Sequence, residues 1–495
     1  MSLCWRESKM RRTTVFMTGA TGNMGWAGFQ ELYRRKDHFR IVVLARPSQK
    51  NRELLAPYLR DIAVKVVWGD MMNYEDVLKG VSGADIVLHI GGMVSPQADY
   101  FPEKTLTVNL GSSENVVRAV LAQRNSTEIK TVFISSVAHC GDRLQPLQWG
   151  RTGDPVYPSS YDAYSASKYL AEKIFSDSGL GKWVCLRQSG ILYPGILKNI
   201  DPILFHVPMR GVLEWTTIED SGRLLANICE NNVPDEFWNR FYNIGSGEEY
   251  RLTNYEFYGR IFRKLCHAQI EKVADPKWFA LQNFHGMWFA DSDLLESYLH
   301  FRGNVPFTEY FESMLSKCPK YYTMLRFVPD FAIRLFLRHL AGTKGLGPRT
   351  WLKDNPEMLK AAFGSESEYE KIESWKQIRP SGMLRNLEKA SAAGEVRILD
   401  HGYDTSRSIY TLSVSDLETA AEFRGGHFLG PYELTGEPGT VYLWECEHGH
   451  KFKASIEFVL LGGGWCDCCN MKDMRSSVTP KNRFIWQILS GLYRE

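Results

Sequence analysis

"TTVFMTGATGNMG", residues 13–25, runs from a short β-prone apolar stretch straight into glycines, and "WAGFQELYRR" (26–35) then resumes with helical period. Gly19, Gly22 and Gly25 fall in a GxxGxxG spacing. Glycines so placed let the backbone turn tightly and approach a pyrophosphate, which then sits at the positive N-terminus of the helix. A glycine triplet alone says little, because loops collect glycine for steric reasons. Its position between a strand and a helix gives it weight.

Outward from this turn the same alternation repeats. "FRIVVLA" (39–45), "VKVVWG" (64–69), "ADIVLHI" (84–90), "KTVFISS" (130–136) and "KWVCLR" (182–187) read as strands, separated by helical segments such as "TLTVNLGSSENVVRAVLAQ" (105–123). Strand and helix alternate to about residue 190, which predicts an α/β fold with a doubly wound parallel sheet of Rossmann type. After the second strand an acid would hydrogen-bond the ribose hydroxyls of NAD, but the text is "VVLARPSQKNR", with Arg46, then Lys50 and Arg52. A cation there meets the 2′-phosphate of NADP. The plainer reading is solvated loop charges; with no acid at the position, NADP is the expected cofactor and NAD the alternative.

In "SSYDAYSASKYLAEK" (159–173), Tyr164 and Lys168 stand four apart on a predicted helix and project from one face. A phenol of reference pKa near ~10 is a poor base at neutral pH, and a neighbouring ammonium favours its anion. The pair suits proton transfer at a carbonyl or carbinol oxygen. A bare YxxxK also occurs on exposed amphipathic helices; here "FISSVAHCG" precedes it at a fitting distance.

From about Thr13 to about Leu315 the chain resembles the extended short-chain dehydrogenases/reductases, the superfamily of nucleotide-sugar epimerases and dehydratases, 3β-hydroxysteroid dehydrogenases and related carbonyl reductases. The motifs are TGATGNMG (18–25), WGD (68–70), VLHIGG (87–92), VNLGSSENV (108–116), SSVAHCG (135–141), YSASK (164–168), LRQSGILYPG (186–195) and YNIGSGEEYRLT (242–253). The resemblance implies that Tyr164 is the acid/base, that Lys168 holds the nicotinamide ribose and lowers the Tyr164 pKa, and that Ser136, counted back from Gly141, orients the substrate oxygen. Ser135 is its alternative. It also implies that Gly19, Thr21, Gly22, Asn23, Met24, Gly25, Arg46, Asp70 and Asn109 contact the cofactor, although Asp70 and Asn109 also read as ordinary turn or cap residues. Asp220 would be structural.

Departures bear on the substrate. Val137 and Ala138 stand where sugar-nucleotide dehydratases of this superfamily carry an acid pair, which argues against dehydration. Gln188 and Gly91–Gly92 replace a proline and an alanine pair of the family pattern. Specificity is expected from residues 190–218 and 250–315, whose Phe205, Met209, Trp215, Trp278, Phe279, Phe284 and Trp288 are core by default and compatible with a bulky, weakly polar substrate. The leading expectation is an NADP-dependent oxidoreductase acting on a carbonyl or alcohol. A nucleotide-sugar epimerase with tightly bound NAD is the second reading, and a redox-sensing binding protein that signals through its tail is the third.

The C-terminal text "WECEHGHKFKASIEFVLLGGGWCDCC" (444–469) is of another kind. Cys446 and His450 make a CxxxH knuckle, Cys466 and Cys469 a CxxC pair, and three thiolates with one imidazole suit tetrahedral Zn²⁺. His448 and Cys468 are alternative ligands. Four protein ligands would fill the shell, so the metal should be structural, and chelation should unfold the tail first. The stretch resembles small treble-clef or zinc-ribbon modules. Interspersed acids (Glu445, Glu447, Glu457, Asp467) weaken any phosphate-binding footprint, so a scaffold or protein-contact role is expected rather than nucleic-acid binding.

With 495 residues the chain needs more than one core. The reading divides it into a catalytic domain (1–315), a helical connector (316–395) and a zinc-binding domain (396–495). In the connector, 319–345 has helical period with Arg326, Asp330, Arg334 and Arg338 on one face; its charges exclude a spanning helix, a basic amphipathic helix could lie on a membrane, and packing on the catalytic domain or an oligomer contact is the leading expectation, with a homodimer allowed. A formal charge of +2 gives no global pull towards nucleic acid or anionic membranes. The first residues lack an apolar signal core and no apolar run is long enough to span a bilayer, so a cytoplasmic protein is expected. Cys4, Cys140, Cys185, Cys229, Cys266 and Cys318 are scattered singly, which in a reducing compartment argues against a disulfide framework.

Overall fold

The computed structural model describes residues 11–198, 200–470 and 478–492; Cys4 and the basic N-terminal residues lie outside them. Seven strands form one parallel sheet: β1 (Thr13–Thr18), β2 (Phe39–Ala45), β3 (Val64–Trp68), β4 (Ile86–His89), β5 (Lys130–Ser136), β6 (Lys182–Gln188) and β7 (Arg240–Ile244). Their order is β7-β6-β5-β4-β1-β2-β3. The first six are the runs legible in the sequence. The winding reverses between β1 and β4, and at such a switch point the carboxyl ends of the strands part into a ligand crevice.

The strands are apolar on both sides because helices cover both faces. Helices α1 (Asn23–Arg34) and α5 (Ile218–Asn227) pack Phe29, Leu32, Leu224 and Leu225 against Val15, Met17 and Val43. On the other face, α2 (Tyr74–Val81), α3 (Pro102–Leu121) and α4 (Ala163–Ser176) pack Val77, Val116, Tyr169 and Phe175 against Phe16, Val87 and Phe133.

A second core lies beyond the carboxyl end of the sheet. Phe205, Met209, Trp215, Trp278 and Phe279 are buried in it, together with Trp351, Leu359, Phe363 and Ile372 of the connector. Trp288 packs edge-on against Trp149 at 5.5 Å between ring centroids. The stretch 319–345 is not one helix: a 3-10 helix (Lys320–Phe327) ends at Val328–Pro329 and α6 (Asp330–Leu340) starts anew. Pro329 lacks the N–H a continuous helix would need there.

In the tail, β8 (His427–Phe428), β9 (Val441–Glu445) and β10 (Lys451–Ser455) form an antiparallel sheet in which Trp444 faces Phe452. Its apolar side does not stand apart. Phe458, Val459, Leu460 and Trp465 continue the core that holds Phe133 and Phe175, and the Tyr169 and Phe458 rings lie 5.3 Å apart. The tail therefore covers the back of α4.

Candidate active site and metal centre

The turn after β1 is built by glycine for two separate reasons. Gly19 has φ +70°, and a Cβ there would sit 2.5 Å from the Gly91 nitrogen. A Cβ on Gly25 would sit 2.1 Å from the Gly19 carbonyl oxygen. Close packing of turn and helix leaves Gly22 as the N-cap of α1, with no side chain capping it and no acid in the first turn. The positive end of a twelve-residue helix is thus left for an anion. Thr21, Gly22 and Asn23 are at least partly open at this end, and Met24 is buried against the neighbouring cavity.

Arg46 is exposed where β2 ends. Its carbonyl accepts from the Asn51 amide at 2.9 Å, and the Arg52 guanidinium lies over the Trp68 ring at 4.9 Å. Asp70 shapes the turn after β3, accepting the Met72 N–H at 3.0 Å. The Asn109 side chain ties the β4 loop to α4: it accepts from Met93 N–H at 2.7 Å and donates to the Met93 carbonyl at 3.0 Å and to the Ser167 hydroxyl at 2.8 Å.

At the C-terminal end of β5 and the start of α4, Ser136, Tyr164 and Lys168 line the same wall. Asp162 caps α4 by accepting the Ser165 N–H at 2.9 Å, which sets the phase that turns Tyr164 and Lys168 inward. Lys168 is buried and donates to the Ile134 carbonyl at 2.7 Å, with its ammonium 6.0 Å from the Tyr164 ring centre. Burial pulls the Lys168 ammonium down to about 8, against an upward pull from Glu172. Burial pushes the Tyr164 phenol up to about 12, and its hydrogen bond with Ser136 works in the opposite direction. Ser135 is buried with its hydroxyl unpartnered and makes no such bond to Tyr164 among the described contacts.

One turn further along α4, Glu172 takes a two-pronged ion pair from Arg187 at 2.9 and 2.7 Å, and His139 Nε2 lies 3.3 Å from it. All three are buried. Burial pushes the Glu172 carboxyl up, but the Arg187 charge, helped by hydrogen bonds from Arg187 and His139, outweighs it and holds the group well below the usual carboxylate range. Arg187 also donates at 2.6 Å to the Gly462 carbonyl of the tail.

The cavity before Tyr164 has a volume of about 480 Å³. Its far walls carry Ile196, Ile203, Trp351, Met358 and Ala362, and Lys168 is the one lysine or arginine among its described lining residues. Of the aromatics suggested by the sequence only Phe284 lines it; Phe205, Met209, Trp215, Trp278, Phe279 and Trp288 do not. Leu346, Trp351, Met358 and Ala362 belong to the connector, which sequence reasoning did not connect with the site; Trp351 and Met358 sit on separate short helices, so no periodicity in the sequence joins them. His285 was also missed. Its ring stacks on Phe284 at 4.2 Å, burial pulls its pKa down to about 4, and the buried Nδ1 has no partner. It therefore offers the cavity a neutral imidazole.

Asp220 sits away from this wall and is structural in geometry, accepting from the Ser246 hydroxyl at 2.5 Å and from the Gly303 N–H at 2.9 Å.

In the tail, the ligand atoms of Cys446, His450, Cys466 and Cys469 all lie within 4.8 Å of one another. Cys446 and Cys469 sulfurs are 3.7 Å apart, and His450 Nδ1 is 3.5, 3.5 and 3.7 Å from the sulfurs of Cys446, Cys469 and Cys466. Bonds of ~2.3 Å to sulfur and ~2.0 Å to nitrogen at tetrahedral angles require about 3.8 Å between sulfurs and about 3.5 Å between sulfur and nitrogen. The four atoms fit. His448 and Cys468 are exposed and outside the group.

Residues 19–199 match the model of the NAD(P)H-binding family. The chain is 25% identical over 142 residues to 3 beta-hydroxysteroid dehydrogenase type 7 of Rattus norvegicus; the match covers 28% of this chain and 40% of that protein. The chain thus spans about two fifths of the relative's length. Among solved structures, dTDP-glucose 4,6-dehydratase from Streptomyces venezuelae is similar at 19% identity and TM-score 0.48, over 61% of this chain and 96% of that one. UDP-glucuronic acid 4-epimerase from Bacillus cereus is similar at 15% identity and TM-score 0.46, over 63% and 100%. Among the described residues no helix is long and apolar enough to cross a membrane. The glycine turn and the seven parallel strands thus give the N-terminal part of this chain a fold of Rossmann type, whose residues 19–199 are similar to the NAD(P)H-binding family.

Proposed function

We propose that the chain is an NADP-dependent oxidoreductase of the short-chain dehydrogenase/reductase type, acting on a carbonyl or hydroxyl group of a bulky, weakly polar substrate. The observation that carries this is the convergence of Ser136, Tyr164 and Lys168 on one wall of an otherwise largely apolar cavity beside the glycine turn. Gly19, Thr21, Gly22, Asn23, Met24 and Gly25 would hold the pyrophosphate side of the cofactor, with Arg46 at the 2′-phosphate and Asp70 and Asn109 bordering it. When bound, the nicotinamide supplies or takes up the hydride. Ser136 holds the substrate oxygen, and Tyr164 donates its proton to that oxygen in reduction or accepts it in oxidation. A phenol pushed up to about 12 is fully protonated at neutral pH, so the reductive direction starts from the resting state. Lys168 offsets the negative charge that Tyr164 acquires as its proton leaves.

Two features speak against the sugar-nucleotide chemistries. Val137 and Ala138, apolar and buried, follow Ser136 where a dehydratase needs acids, and a diphosphate would find Lys168 alone as a cation in the described cavity wall. We assign Cys446, His450, Cys466 and Cys469 to a structural Zn²⁺, and place the domain boundaries near 315 and 395.

The test is NADPH oxidation by the purified protein with a panel of hydrophobic ketones and aldehydes. Tyr164→Phe should lower kcat by roughly 10²–10⁴-fold and leave NADPH binding, followed by its fluorescence, unchanged. Undiminished turnover in that variant would reject the role of Tyr164, and a tightly held NAD with no net NADPH consumption would point to epimerisation instead.

A further inference from the structure

The connector leaves a block of apolar side chains uncovered. Met324 is 67% exposed, Phe327 75%, Phe331 73%, Leu335 65% and Phe336 50%. Met324 and Phe327 stand one turn apart on the 3-10 helix and Phe331 and Leu335 one turn apart on α6, so an exposed apolar pair lies on each side of the Val328–Pro329 break. The helix beneath is fixed in place. Ile333 and Leu337 on its other side are buried in the second core, and Arg334 bonds the Ala274 carbonyl at 3.1 Å and Asp275 at 3.2 Å. Five large exposed apolar residues within thirteen positions exceed what a solvated surface carries by chance.

The surrounding charge says what covers them. Between Lys317 and Lys344 the chain carries Lys317, Lys320, Arg326, Arg334, Arg338 and Lys344 against Asp330 as the one acid, in a protein whose total formal charge is only +2. Arg326, Arg338 and Lys344 are exposed beside the block. A second copy of this face would set these cations against themselves. A surface of negative charge over apolar depth complements both features at once.

We propose that this block docks the protein on an anionic lipid bilayer, with α6 lying in the headgroup layer, the phenylalanines inserted and the arginines at the lipid phosphates. An eleven-residue helix is too short to span, so the contact is interfacial. The proposal stands whether or not the reaction above is correct.

Flotation of the full chain with vesicles tests it, using phosphatidylcholine alone and phosphatidylcholine mixed with phosphatidylglycerol. The protein should float with the mixed vesicles and far less with the neutral ones. Phe327→Ser/Phe331→Ser should weaken binding by about tenfold or more without lowering the thermal midpoint, since both rings are exposed. Arg326→Glu/Arg338→Glu should abolish the preference for anionic lipid. The proposal is overturned if the unaltered chain stays in the soluble fraction with anionic vesicles. It is equally overturned if light scattering shows a dimer that the Phe pair variant dissolves while vesicle binding is unchanged.

Discussion

Tyr164 and Lys168 owe their properties to burial more than to each other. Burial raises the phenol and depresses the ammonium, so near neutrality the pair rests as phenol plus ammonium, with the ammonium the closer of the two to titration. The cation is present below about 8 and lost as pH rises through that value. Carbonyl reduction should therefore decline as pH climbs past about 8, measured as kcat/KM for NADPH-dependent turnover. Glu172 pulls the Lys168 pKa upward, so Glu172→Gln should move the decline to lower pH; a midpoint that stays put would exclude the coupling. His285 makes a different kind of prediction. Its ring lines the cavity as a neutral imidazole able to make one hydrogen bond to a polar group of the substrate, so His285→Phe should raise KM roughly tenfold while kcat holds.

At the scale of elements, the sheet was legible and its surroundings less so. Parallel strands buried on both faces read as continuous apolar runs, and β1 to β6 are such runs. In β7, "RFYNI", Arg240 and Asn243 interrupt the pattern, and Asn243 finds its partner in Asp291, far along the chain. The glycine turn was legible because its constraints are local: Gly25→Ala would force a methyl against the Gly19 carbonyl, and loss of cofactor binding with the fold retained, seen by calorimetry and circular dichroism, is the expected result. The grouping of Cys446 and His450 with Cys466 and Cys469 was legible for the same reason, since each pair is set by short-range spacing. The connector's part in the cavity was not, since Trp351 and Met358 reach Tyr164's cavity only through tertiary packing that no short-range spacing encodes. Likewise 319–345 has the period of one helix, and only Pro329 marks the break.

At the scale of the whole molecule, the tail bears directly on α4, the helix that carries Tyr164 and Lys168. The Trp465 carbonyl accepts from the Tyr169 hydroxyl at 2.7 Å, the Trp465 N–H donates to the same oxygen at 3.2 Å, and Cys466 follows immediately. The Gly462 carbonyl meets Arg187 on the far side of the pair with Glu172. These contacts use backbone atoms of the tail, which is why its sequence gives no hint of them. A closed metal shell would fix the segment that carries them, since Cys446 and His450 draw Cys466 and Cys469 into register. The purified chain should hold about one zinc ion, by elemental analysis, as a four-ligand site requires. Arg187→Met should cost about 3–5 kcal/mol in urea unfolding, because it removes the two-pronged partner of the buried Glu172 carboxylate and leaves only the His139 imidazole beside it. Stripping the metal with a chelator should lower the thermal midpoint and turnover together, with no change in the chemistry at Tyr164, and readdition of zinc should restore both. If the metal can be removed with neither quantity moving, the tail does not steady α4.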